Sequence, residues 1–97
     1  MITRIVRMHF KEERVGEFLD IFDRHKIAIR NVEGCTRLEL HRDIMHANVF
    51  TTLSEWQDPA DLERYRNSDL FKKVWGQVKP LFSASPQAFS LEKYLEL

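Results

Sequence analysis

The chain has 97 residues, with 15 Lys and Arg against 15 Asp and Glu, so its formal net charge is zero. That length suits one domain over residues 1–97 with a thin core, because so short a chain buries only roughly 60–65% of its unfolded surface. The neutral balance provides no electrostatic footprint for nucleic acid or for an anionic membrane surface. The lone Cys35 rules out an internal disulfide. Arg4, Arg7 and His9 interrupt the first ten residues, so neither a signal peptide nor a membrane span is expected there. A reducing cytoplasm is the expected compartment.

In chain order, Ile2 to Phe10 alternates as a strand does. Ile2, Val6, Met8 and Phe10 share one face with Arg4, and Thr3, Ile5, Arg7 and His9 share the other. Val15, Phe18, Phe22, His25 and Ile29 then recur at spacings of three and four, which predicts a helix from about Glu12 to Asn31, stopping before Gly34. Cys35 to Arg42 reads as a second strand, with Leu38 and Leu40 opposite Arg37, Glu39 and His41. Asp43 to Asn48 is a polar hairpin loop. Val49 to Trp56, rich in Thr and aromatics, is a third strand. Asp58 is suited to cap a helix that has Pro59 at its first position and runs to about Arg66. Ser68 is suited to cap a second helical stretch from Asp69 to about Val78, ended nearby by Pro80. Ser83 to Gln87 is a loop, and Ala88 to Leu95 closes the chain as a fourth strand.

The order β-α-β-β-α-β predicts an α+β, ferredoxin-like fold: an antiparallel sheet with helices on one face. Its helix-free face carries Ile5, Val49 and Leu53 beside Arg7, His9, Arg37, Glu39, His41 and Glu55. That mixture is too apolar for a solvent face and too charged for a core. A symmetric partner sheet buries the apolar members and pairs the charged ones, which predicts a homodimer.

Short motifs lie in the same order along the chain. Glu33-Gly34-Cys35 opens the second strand, and Arg42-Asp43 closes it. The third strand, Val49 to Trp56, has Phe50 near its start and Trp56 at its end and leads into Asp58-Pro59, and Asn67-Ser68-Asp69-Leu70-Phe71 follows. This pattern resembles the antibiotic biosynthesis monooxygenase domain family, a branch of the dimeric α+β barrel proteins. With the flanking strands the resemblance covers nearly the whole chain. It implies two sheets facing each other in a dimer, and a hydrophobic substrate held between sheet and helices near the third strand.

Trp56, Tyr65, Phe71 and Trp75 are the local candidates for that pocket, with Ser54 beside them. Trp and Tyr supply flat apolar walls and one polar tip each, which suits a planar aromatic ligand; the same residues also suit a thin core. Tyr65 and His25 are the candidate catalytic groups. His25 lies on the apolar stripe of the first helix, where a neutral imidazole suits proton abstraction from a phenol or a hydroxyketone. Two positions depart from the family's pattern. Ser54 stands where the family often has Glu, two residues before the third-strand Trp. Tyr65 stands where it often has His, three residues before the helical Ser. The run Asn67 to Lys72 also resembles the haem-degrading branch of the superfamily. There Trp75 occupies the place of the axial His, and Val6 that of a small polar residue, so haem binding in that manner is not expected. The four histidines have no spacing typical of a metal site, and none is expected.

Three functions remain open from the sequence. One is a cofactor-independent monooxygenase acting on a small phenol or quinol. Another is an isomerase of a small hydroxyketone, which needs an acid-base pair. The third is a non-catalytic dimeric module that binds a small ligand.

Overall fold

A computed structural model describes residues 1–97. The first strand, β1 (Ile2–His9), sits inside a four-stranded sheet of order β2-β3-β1-β4, where β2 is Cys35–Arg42, β3 is Val49–Trp56 and β4 is Gln87–Leu91. Every neighbouring pair is antiparallel. β1 and β2 therefore run parallel with β3 between them. The connection between them is a helix, α1 (Val15–Arg30), entered through a single 3-10 turn at Glu12–Arg14. This is the split βαβ arrangement of the ferredoxin-like α+β fold.

Gly34 sets the turn from α1 into β2. Its φ is +88°, a conformation that side chains rarely adopt. A Cβ placed there would also collide with the side chain of Asp61. The Gly34 carbonyl in turn accepts from Gln57 N at 2.9 Å, tying the end of β3 to this corner.

Two short helices follow β3: α2 (Pro59–Arg66) and α3 (Asp69–Val78). The Asp58 side chain caps α2 by accepting from Ala60 N at 2.8 Å. At the far end Asn67 folds back and donates to the Glu63 carbonyl at 2.8 Å, closing α2. The Ser68 hydroxyl then accepts from Phe71 N at 3.1 Å and opens α3. These side-chain caps satisfy backbone groups at the break that the helices leave unpaired.

The core forms two clusters. Met8, Phe10, Phe18, Ile21, Phe50, Val78 and Leu81 make the larger one, built on the stacked rings of Phe10 and Phe18, 4.1 Å apart. Cys35, Trp56 and Leu62 make the smaller one, with Ile2, Val32 and Tyr65 packed against it.

Two details differ from the sequence expectation. The fourth strand is Gln87–Leu91 rather than Ala88–Leu95. β4 pairs only with β1, and Leu91 already faces Thr3 near the start of that strand, so later residues have no ladder to join. Val49 is buried within the chain at the neck of the β2–β3 hairpin, where it is bonded to His46 and Asp43, and so is not a free member of the helix-free face. The other members of that face fall as expected. One row across the sheet reads Glu39, Leu53, Ile5, Phe89. Arg37 sits between Glu39 at 2.6 Å and Glu55 at 3.0 Å.

Candidate functional site

A cavity of about 340 Å³ lies between the sheet and the helices. It separates the two core clusters and takes wall residues from both: Met8, Phe18 and Val78 from one, Trp56 and Leu62 from the other. Inward-facing residues of β1 and β3 make its floor, and α1, α2 and α3 its roof. Functional pockets for small ligands span roughly 300–1,000 Å³, so this one suits a ligand of about two fused rings.

The break between α2 and α3 sets the aromatic wall. Trp56 and Tyr65 stack at 5.1 Å with planes 23° apart. Tyr65 meets Phe71 edge-on at 5.3 Å. Phe71 stacks on Trp75 at 5.9 Å and 10°. Trp75 then meets the edge of Phe82 at 5.5 Å. All four candidate aromatics therefore line the cavity as one continuous series. Trp56 is 1% exposed, so it serves both core and wall, whereas Tyr65, Phe71 and Trp75 are half-buried. Each such ring pair is worth roughly 0.5–1.5 kcal/mol beyond the area it buries.

The polar groups of the cavity are few. Trp56 Nε1 donates to Ser54 Oγ at 3.0 Å, so the indole N–H is already satisfied. The Tyr65 hydroxyl has no hydrogen-bond partner in the protein. Gln77 Oε1 is the one fully buried side-chain polar atom without a partner, so the Tyr65 hydroxyl still reaches accessible space. Burial, with a smaller contribution from nearby Cys35, pushes the Tyr65 phenol up to about 12. At neutral pH it is a proton donor and not a base.

His25 does not line the cavity. It is half-buried on α1, which packs against the edge strand β2. Phe18, Phe22 and Ile29 on the same stripe do line the cavity. The helical period fixed the direction of His25 but not its depth. No imidazole and no carboxylate takes part in the lining, so the expected base is missing from it. No group of three or more His, Cys, Asp or Glu side chains comes together in a way that suits a metal ion.

Sequence reasoning missed two residues. Arg4, on the inward face of β1, and Arg66, in the last turn of α2, both line the cavity. The signal for Arg4 was its place among Ile2, Val6, Met8 and Phe10 on an otherwise apolar strand face. Arg66 carried no comparable signal, since a basic residue near a helix C-terminus is ordinary.

The sequence profile described as antibiotic biosynthesis monooxygenase matches residues 1–75. The chain belongs to the antibiotic biosynthesis monooxygenase family. Solved structures agree on the fold. A conserved protein from Methanosarcina mazei Go1 superposes with a TM-score of 0.89 at 22% identity, over 96% of this chain and 93% of that one. The crystal structure of an antibiotic biosynthesis monooxygenase gives 0.91 at 17% identity, over 98% of this chain and 100% of that one. Rv0793 from Mycobacterium tuberculosis gives 0.89 at 16% identity, over 98% and 96%. No curated protein matches the chain. Within this monooxygenase-family fold the cavity lies on the helix-covered side of the sheet, and the face carrying Leu53 and Phe89 is left open. No helix is long and apolar enough to cross a membrane.

Proposed function

We propose that the protein is a cofactor-independent monooxygenase of a small electron-rich aromatic, a phenol or quinol, and that it works as a homodimer. The observation that carries this reading is the aromatic-walled cavity with the Tyr65 hydroxyl as an unpaired donor on its wall. In such a reaction the substrate itself is the reductant. A dihydroxynaphthalene and dioxygen give a hydroxynaphthoquinone and water: one oxygen atom enters the ring and the other leaves as water. The protein's part is to strip water from the ring, hold it between Trp56, Phe71 and Trp75, and orient its oxygen on the Tyr65 hydroxyl. With no base in the lining, the substrate proton passes to solvent. Isomerisation of a hydroxyketone is less well supported, because it needs a paired acid and base that the lining lacks.

The dimer reading rests on the helix-free face. Phe89 and Leu91 are 51% and 52% exposed on a single chain; Phe89 continues the apolar row of Leu53 and Ile5, and Leu91 stands in register with Thr3. A second copy would cover them and keep the ion pairs of Arg37, Glu39 and Glu55 at the rim. Light scattering on a sizing column tests this reading, since a monomer-sized particle at micromolar concentration is incompatible with it.

Oxygen uptake with a dihydroxynaphthalene tests the chemistry. Tyr65→Phe keeps the ring and deletes only the donor. The expected loss of rate is about tenfold, equivalent to about 1.4 kcal/mol of transition-state binding. Equal uptake by wild type, Tyr65→Phe and buffer alone would instead leave a non-catalytic ligand-binding module.

A further inference from the structure

We propose that Arg4 and Arg66 form an anion subsite in this cavity, so that the ligand is an aromatic acid whose carboxylate rests between the two guanidinium groups. The inference deepens the reading of the cavity as a substrate site and rests on it.

The charges of the lining are all of one sign. Arg4 and Arg66 are its only ionisable residues besides Tyr65, which stays neutral, and the rest is apolar apart from Thr52, Ser54 and the satisfied indole of Trp56. The two arginines come from opposite walls. Arg4 stands on β1 in register with Ser54 on β3 and Ser90 on β4, and Arg66 ends α2.

Neither is neutralised inside the cavity. Arg4 has no acidic partner, and its one side-chain bond is Nη1 donating to the neutral Ser90 hydroxyl at 2.9 Å. Arg66 reaches Glu63 at 3.8 Å across solvent, the two side chains being 46% and 68% exposed. A pair so exposed contributes little. Burial and, next, the charge of Arg66 hold the Arg4 guanidinium below its ordinary range.

Two like charges beside an apolar cavity repel each other, and a structural role would place a carboxylate between them. A bound anion removes both the repulsion and the unpaired donors. A guanidinium presents parallel N–H groups that match a carboxylate. The aromatic series from Trp56 to Trp75 then takes the ring, and the Tyr65 hydroxyl remains free for a ring oxygen.

The test is calorimetric titration of the protein with a hydroxynaphthoate and with the naphthol of the same ring system, at neutral pH. The hydroxynaphthoate is expected to bind about tenfold more tightly or better, with the margin shrinking as salt is added. Arg66→Gln and Arg4→Gln should each erase most of that margin while naphthol affinity and the melting temperature stay close to wild type. Arg66→Lys should keep part of it. Equal affinity for the two probes in wild type overturns the proposal, as does a margin that survives both Gln variants, and so does failure of the hydroxynaphthoate to bind. Oxygen uptake is read separately. Tight hydroxynaphthoate binding without uptake of oxygen by any quinol keeps the anion subsite and removes the oxygenase. Uptake with a neutral quinol and no preference for the acid does the reverse.

Discussion

The Tyr65 phenol provides a stability test that needs no substrate. Its folded-state pKa is about 12 against an ordinary 10, because burial penalises the phenolate. Below about pH 10 both folded and unfolded chains hold the proton, and the shift has no effect on stability. Between about pH 10 and 12 the unfolded chain loses the proton and the folded chain keeps it. The unfolded state then binds fewer protons, so stability falls as pH rises, by ~1.36 kcal/mol per pH unit. The whole window is worth roughly 3 kcal/mol, or on the order of 10–20 °C in melting temperature for a domain this small. Other groups also titrate there, so the quantity to measure is the difference between wild type and Tyr65→Phe. Urea melts across the window should show wild type losing about 3 kcal/mol more than the variant, while the two agree near pH 8. The tyrosinate absorbance gives an independent reading. The chain has two tyrosines, so subtracting the variant's titration isolates Tyr65. Parallel loss of stability in the two proteins, or a Tyr65 titration centred near 10, would refute the claim that burial of Tyr65 keeps its hydroxyl protonated as a donor.

Gly34→Ala should cost roughly 2–4 kcal/mol, from backbone strain at φ +88° and from overlap with Asp61. Adding Asp61→Ala should recover only part of the packing share, because the Asp61 Cβ itself collides with the added methyl, and none of the strain, so thermal melts should leave the double variant well below wild type. Leu53→Asp places a carboxylate opposite Glu39 in the middle of the helix-free face, so light scattering should find a monomer under conditions where the proposed wild-type dimer forms. Haem should cause only weak, unsaturable changes in the Soret region, because Trp75 stacks on Phe71 and the cavity lining contains no histidine to ligate iron.

Much of this fold was legible because its decisive signals are local. The alternation and turn residues around Cys35–Arg42 and Val49–Trp56 place those strands without any knowledge of their neighbours. Asp58, Pro59 and Ser68 announce two helix starts, and the break between them is what lets Tyr65 and Phe71 turn toward Trp56 and Trp75. What stayed illegible depends on partners distant in sequence. The end of β4 is set by where β1 begins. The burial of Val49 is set by how its hairpin closes. His25 shares a stripe with Phe18, Phe22 and Ile29, and periodicity cannot say which of them reaches a cavity. Arg4 is the instructive case. Its face was readable from Val6, Met8 and Phe10, and a charge on that face must be offset by something. The sequence offers no acidic residue in register, since its cross-strand neighbours are Ser54 and Ser90. The meeting with Arg66, which only the tertiary fold creates, turns that deficit into a binding argument. An inward strand position held by an unmatched charge therefore points to a ligand more directly than the aromatics do, because aromatics are equally at home in a core.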